Sequence, residues 1–283
     1  MRAQDSTGPP LEGKSPFELR VNLGRDIPES DVRTALATGD MGFLHSFTTG
    51  STVDGPGVRV VAWTTGCQFR CLYCHNPDTW TLTNGVPVTI HRAVEQLSKY
   101  KRGLKVMSGG FTLSGGEPLM QDRFAVKLLK AARELGIHTA LDTNGSLGDR
   151  LTDNEIREID LFLLDLKSYD PERHRQVTGA DVEPVLRFAS RLASQKRPAW
   201  VRFVLVPGYT DDPANIAGIA GFAASLGNVE RVDVLPFHQM GRFKWKELKL
   251  NYELDKVSPP SSSMVEAACS QFRDHGTRYC PIS

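Results

Sequence analysis

The chain is poor in cysteine, with five in 283 residues, and carries almost no net charge, +1 at pH 7. It also lacks long apolar runs. No stretch approaches the roughly 20 residues needed to span a bilayer, and no apolar core marks a secretory signal at the N-terminus. Each absence removes a class of function. With 34 Lys and Arg set against 33 Asp and Glu, and no basic cluster, nothing draws the protein to nucleic acid or an anionic membrane. Five cysteines without an export signal make a poor disulfide framework and fit a reducing cytoplasm. A hydrophobic content of 40% is enough for a sizeable core, arranged as one barrel-sized domain or two small ones.

Three of the few cysteines stand together. Cys67, Cys71 and Cys74 follow the apolar run Val58 to Trp63 at C-x3-C-x2-C spacing, and a loop of that size can turn three thiolates toward one point. Structural zinc wants four ligands, typically as paired short spacings with a second half downstream. His75 adjoins Cys74, but two adjacent side chains rarely converge on one small ion. Cys269 and Cys280 are distant and not at zinc spacing. A thioredoxin-like pair would use Cys71 and Cys74 and leave Cys67 idle. A [4Fe–4S] cluster takes one thiolate per iron, so three would leave one iron open to a ligand that is not protein.

From Met41 onward one unit repeats: a short apolar strand, a polar loop, then a helix-period segment. Strands are predicted at Val58–Thr65, Phe111–Leu113, Thr139–Leu141, Leu161–Leu166, Trp200–Val206 and Arg231–Leu235. Helices are predicted at Ile90–Tyr100, Arg123–Leu135, Asp153–Ile159, Val182–Gln195, Pro213–Leu226 and Ser263–His275. Such alternation implies a parallel sheet with helical crossovers. The fold class is α/β, a partial (β/α)6 TIM-like barrel, with an open doubly wound sheet as the alternative. Residues 1–40 read as an N-terminal extension ahead of a 41–283 domain. Its Ser6–Pro10 stretch is polar and turn-rich, and Pro28–Ala37 is a short helix stopped by Gly39.

The polar residues cluster where the strands end. The three cysteines follow the first strand, Ser114 to Glu117 the second, and Asp142 to Asn144 the third. Asp165 and Lys167 close the fourth, Arg202 lies within the fifth, and His238 follows the sixth. In a parallel barrel those ends share one face, where active sites sit. Taken singly, each has an ordinary reading. Gly115-Gly116 and Asp54-Gly55-Pro56-Gly57 suit turns, Asp142 a helix cap, and Asp165 a salt bridge to Lys167. Arg202, a charge in an apolar strand, needs a partner. Trp63, Phe69 and Tyr73 read as packing around the cysteine loop, with His75 and Asn76 as support.

Read in order, Thr52–Gly57, Cys71-Leu72-Tyr73-Cys74-His75-Asn76, Ser114–Pro118, Leu141–Gly145, Asp165-Leu166-Lys167 and Leu235–His238 resemble the pyruvate formate-lyase activating enzymes. These are glycyl-radical enzyme activases of the radical S-adenosylmethionine (SAM) superfamily. The resemblance runs from about Met41 nearly to the C-terminus, and it favours the partial barrel. It implies a [4Fe–4S] cluster on Cys67, Cys71 and Cys74 with SAM methionine on the open iron. The SAM contacts it implies are Tyr73, Gly115, Gly116, Glu117, Asp142, Lys167, Arg202 and His238. It further implies a monovalent cation among Asp142, Thr143 and Asp165, and Asp54 against the glycine loop of a protein substrate. The implied activity is reductive cleavage of SAM, with the 5′-deoxyadenosyl radical taking a Cα hydrogen from a glycine of pyruvate formate-lyase. No cysteine lies between Cys74 and Cys269, where many activases for other partners insert a cysteine-rich segment. The electron would then come from flavodoxin or ferredoxin, to a cytoplasmic monomer. A different glycyl-radical enzyme, a small-molecule substrate or a non-catalytic electron-transfer module are the alternatives.

Overall fold

The computed structural model describes residues 19–276. In chain order they form α1 (Glu29–Thr38), β1 (Met41–Ser51), β2 (Arg59–Thr64), β3 (Val86–Thr89), α2 (Ile90–Ser98), α3 (Lys101–Val106), β4 (Gly110–Gly115), α4 (Asp122–Glu134) and β5 (His138–Thr143). There follow α5 (Asp153–Glu158), β6 (Leu161–Asp165), α6 (Pro171–Thr178), α7 (Glu183–Ser194), β7 (Ala199–Leu205), α8 (Pro213–Leu226), β8 (Val229–Pro236), α9 (Arg242–Glu247) and α10 (Ser262–Asp274). All eight strands join one sheet in the order β3-β1-β2-β4-β5-β6-β7-β8. The run from β2 to β8 is parallel throughout, and β1 and β3 add an antiparallel margin. This is the expected partial barrel, and each of the six predicted strands lies in its parallel run.

Strand alternation decides what each face carries. One face supplies Val60, Ala62, Phe111, Leu113, Leu141, Phe162, Leu164, Val201, Phe203, Val232 and Val234 to the main core, where they meet Leu128, Phe188, Ile219 and Phe272 of the outer helices. Truncating a buried Leu or Phe here costs about 2–5 kcal/mol. The intervening positions face inward. Ala140, Leu161, Leu163 and Trp200 form a small apolar layer there. Two residues further along their strands come Asp142, Asp165 and Arg202, so a period of two places charges above an apolar floor.

Local signals set the ends of the elements. Thr152 and Glu155 form a reciprocal capping box on α5. Asp170 caps α6 and Asp212 caps α8, each with proline at the first helical position. The predicted helix at Pro28–Ala37 is found as α1, stopped by Gly39 at φ 76°. A Cβ at Gly39 would stand 2.5 Å from the Arg123 backbone, so the close approach to α4 needs glycine. Within the expected extension, Leu19 and Val21 are buried, and Val21 N–H donates to Pro87 O at 2.9 Å. The Ser6–Pro10 stretch lies outside the described residues. The structure also contains β1, β3, α3, α6 and α9, which periodicity does not predict.

Candidate active site

The cysteine loop leaves β2 through Gly66, in the left-handed region at φ 90°. Main-chain hydrogen bonds then pin it on two sides. Gly66 N–H donates to Thr79 O and Cys67 N–H to Trp80 O, at 2.7 and 3.1 Å. Arg70 N–H and Leu72 N–H donate to Thr178 O and Val177 O at the end of α6, at 2.8 and 3.0 Å. All three cysteines line one cavity of about 920 Å3 at the C-terminal ends of the strands.

Burial pushes all three thiols up, Cys71 to about 12. Cys67 rises further because charge on Cys71 and Cys74 would lie beside it. Three thiolates therefore need a cationic centre to coexist, and metal coordination deprotonates thiols outright. The backbone at Phe69 and Asn76 acts against the rise at Cys67 and Cys74. Among the described residues, no three His, Cys, Asp or Glu side chains converge on a single ion. Three thiols of one loop on one cavity wall are the ligand type an iron–sulfur cluster takes.

Gly115 and Gly116 form the next wall. Gly115 has φ 126°, and a Cβ on it would lie 2.1 Å from Thr64 N. A Cβ on Gly116 would lie 2.5 Å from Gly66 O. The glycine loop thus packs on the root of the cysteine loop, and its backbone faces the cavity. Glu117 follows the two glycines, and its carboxylate bonds the neighbouring strand end. It is fully buried and does not line the chamber. Its oxygens accept from Leu119 N (3.0 Å), Thr143 Oγ1 (2.8 Å) and Asn144 N (2.8 Å), tying the glycine loop to the end of β5. Burial pushes this carboxyl up to about 7, against the three donors. Thr143 donates its hydroxyl to Glu117 and is likewise not among the residues lining the cavity.

The charged strand ends meet as the alternation requires. Arg202 Nη1 donates to Asp142 Oδ2 at 2.9 Å and lies 3.7 Å from Asp54 Oδ1. Ser114 Oγ donates to the same Asp142 oxygen at 2.6 Å. Burial pushes the Asp142 carboxyl up; Arg202 pulls it back and Asp165 adds to the rise. Lys167 Nζ bonds Asp165 Oδ2 at 2.8 Å and stands 5.6 Å from the centre of the Tyr73 ring. Burial opposes the Lys167 charge, but Asp165, Tyr73 and Cys71 outweigh it and hold the ammonium well above its usual range. His238 Nδ1 lies 2.9 Å from His75 Nε2 at the rim.

Asp142 Oδ1, Arg202 Nε and Tyr73 Oη are buried without a hydrogen-bond partner. Asp142, Arg202 and Tyr73 all line the chamber. Buried polar atoms are rarely left so, and a polar ligand in this chamber could satisfy such groups. The structure brings Asp54, the three cysteines, Tyr73, Gly115, Gly116, Asp142, Asp165, Lys167, Arg202 and His238 to one cavity and leaves out Glu117 and Thr143. Sequence reasoning missed the bond from Ser114 to Asp142, which the inward register of β4 could have revealed. It also missed Met240 and Pro259, which line the rim and carry no local signal.

The radical SAM superfamily model matches residues 61–218. The pyruvate formate-lyase-activating enzyme of Staphylococcus aureus (strain USA300) is 43% identical over 234 residues, covering 80% of this chain and 93% of that protein. The crystal structure of a domain of pyruvate-formate lyase-activating enzyme from Bacteroides vulgatus is 29% identical. It superposes with a TM-score of 0.51 over 62% of this chain and 99% of its own. A radical SAM methyltransferase from Sphaerobacter thermophilus shares the fold, with a TM-score of 0.58 at 16% identity over 83% of this chain and 72% of its own. Identity of this extent across nearly the whole of a relative is family membership: the chain belongs to the radical SAM superfamily and, within it, to the pyruvate formate-lyase-activating enzymes.

Proposed function

We propose that the protein is the activase of a pyruvate formate-lyase, generating a glycyl radical in that enzyme. Superfamily membership brings with it a [4Fe–4S] cluster and SAM. When bound, they supply one electron and, from SAM, a 5′-deoxyadenosyl radical able to take the Cα hydrogen of a glycine. The observation that carries the reading is the meeting of three thiols, a glycine-lined backbone wall and the Asp142–Arg202 and Asp165–Lys167 pairs around one chamber.

The chain's own residues bind, orient and exclude water. Cys67, Cys71 and Cys74 would hold the cluster, with the Lys167 ammonium near Cys71 favouring the thiolate. The Gly115–Gly116 backbone would receive the methionine end of SAM, since no side chain intervenes. Asp142 keeps one oxygen for Arg202 and Ser114 and has the other for a cationic or hydroxylated ligand. Tyr73 Oη, Lys167 and His238 would meet the remaining polar groups, while Trp63, Phe69 and Phe237 supply apolar wall. Fixed dipoles and charges in such a chamber act without reorganising. Asp54 and Val53 line the chamber, with Val53 42% exposed, and would meet the incoming glycine loop.

The same proposal includes a monovalent cation among Asp142, Thr143 and Asp165, supported by the unpartnered Asp142 oxygen. It also includes an external flavodoxin or ferredoxin donor, a monomeric state and a cytoplasmic setting. No helix among the described residues is long and apolar enough to cross a membrane. The test is anaerobic incubation of the reduced, iron-loaded protein with SAM and a pyruvate formate-lyase, read by EPR. A glycyl doublet on the partner is expected. Reductive SAM cleavage with no doublet would redirect the activity to another substrate.

A further inference from the structure

Part of the chamber's rim is a segment whose inner side is fastened to the cysteine loop. His238 meets His75 at 2.9 Å. Gly241 packs so tightly that a Cβ would stand 2.7 Å from His75 O. Lys244 Nζ lies 2.8 Å from Asn76 Oδ1 and 2.9 Å from Asp78 Oδ2, and Asp78 also holds His45 Nε2 of β1 at 2.8 Å. Trp245 Nε1–H donates to Cys74 O at 2.8 Å. Residues 238–245 therefore lie along residues 74–78 in a fixed register, with Gly241, Lys244 and Trp245 buried.

Those anchors leave two large apolar side chains of the same segment in solvent: Met240 is 69% exposed and Phe243 48%. Met240 also lines the chamber, as do Pro259 and the exposed Val53. The inner chamber is of another character, carrying three thiols and the Asp142–Arg202 and Asp165–Lys167 pairs. Charge lies within and an apolar edge lies at the opening. Exposed apolar patches of this kind mark contact surfaces, and the flexible thioether of methionine adapts to the shape of what it meets.

We propose that Met240 and Phe243 form a docking ledge for apolar side chains flanking the target glycine of the protein substrate, and so help select the segment that enters the chamber. The inference rests on the activase reading and extends it to the opening. Continuity identifies the occupant: Met240 belongs both to the exposed ledge and to the chamber wall, so a segment seated in the chamber runs on to the ledge. A small ligand held among the inner charges leaves the ledge uncovered. Because the ledge is mounted on residues 74–78, it sets the segment at a fixed distance from the cysteines, and such positioning is what a hydrogen transfer needs.

The test uses the full chain, iron-loaded and reduced, with excess SAM and a pyruvate formate-lyase at varied concentration, the glycyl doublet being read by EPR. Met240→Lys should raise KM for the partner roughly tenfold, the scale of one apolar side chain left unburied, with kcat changed far less. Phe243→Ser should raise KM by a smaller factor and leave partner-free SAM cleavage at the wild-type rate. A synthetic glycine-loop peptide with Glu in place of the apolar residues beside its glycine should be activated better by Met240→Lys than by wild type, a reversal that a merely structural role does not give. Unchanged KM in both variants overturns the proposal, as does a Glu peptide that prefers wild type. A defect confined to reduction by flavodoxin would assign the ledge to the electron donor and overturn it too. If Met240→Lys takes up no iron, Phe243→Ser decides by the same KM criterion. Wild-type protein that forms no glycyl doublet on the partner would instead defeat the activase reading, a result distinct from any variant effect.

Discussion

Arg202 shows how much one residue can disclose. A guanidinium inside the apolar run Val201 to Val206 demands a buried partner, and its partners are Asp142 at 2.9 Å and Asp54 at 3.7 Å. Removing one member of a buried pair strands the other, at about 3–5 kcal/mol. Arg202→Ala should therefore lower stability by that amount in urea unfolding of the cluster-free chain. Adding Asp142→Leu should recover much of the loss, because both charges then disappear. A loss in the double variant equal to the sum of the two single losses would show that the pair is not coupled. Glu117 shows the limit of the same reasoning. A motif gives neighbours along the chain but not the direction of a side chain, and the glycines before Glu117 let it turn into the protein toward Thr143 and Asn144.

At the scale of elements, the cysteine loop depends on α6, whose last carbonyls accept from Arg70 N–H and Leu72 N–H. His174 of α6 is fully buried, with Nδ1 2.8 Å from Ala180 O and Nε2 without a partner. Burial holds its pKa below 6.5, with the Ala180 carbonyl pulling the other way. Between that lowered value and 6.5 the unfolded chain binds more protons, so stability falls as pH drops through the window and is intact above it. The stability difference between wild type and His174→Gln should therefore narrow or reverse from pH 7 to pH 5. A constant difference would mean that His174 does not titrate on unfolding.

The long repeating elements were legible in the sequence because six apolar strands alternate with amphipathic helices. β1 was not. Its pairing with β2 shifts register between Leu44 and Ser46 and again between Thr49 and Ser51, and such irregularities break the period-two pattern. The short helices α6 and α9 bury few side chains, so periodicity has little to register. α6 is instead delimited by the Asp170 cap and by Gly179 at φ 73°.

At the scale of the whole molecule, the parallel run places six strand ends on one face, and inward register turns Trp63, Ser114, Asp142, Asp165, Arg202 and Leu235 into one chamber. The location of that chamber was legible from where polar residues interrupt apolar strands. The grip of residues 238–245 on the cysteine loop was not, because Trp245 and Cys74 are 171 positions apart and neither neighbourhood signals the other. The central claim is that this chamber cleaves SAM by one-electron reduction, and its most direct test is a product assay. The anaerobic, iron-loaded and reduced protein should convert SAM to methionine and 5′-deoxyadenosine, and Cys67→Ala should abolish that conversion. A fully loaded, reduced protein that leaves SAM intact would contradict the account.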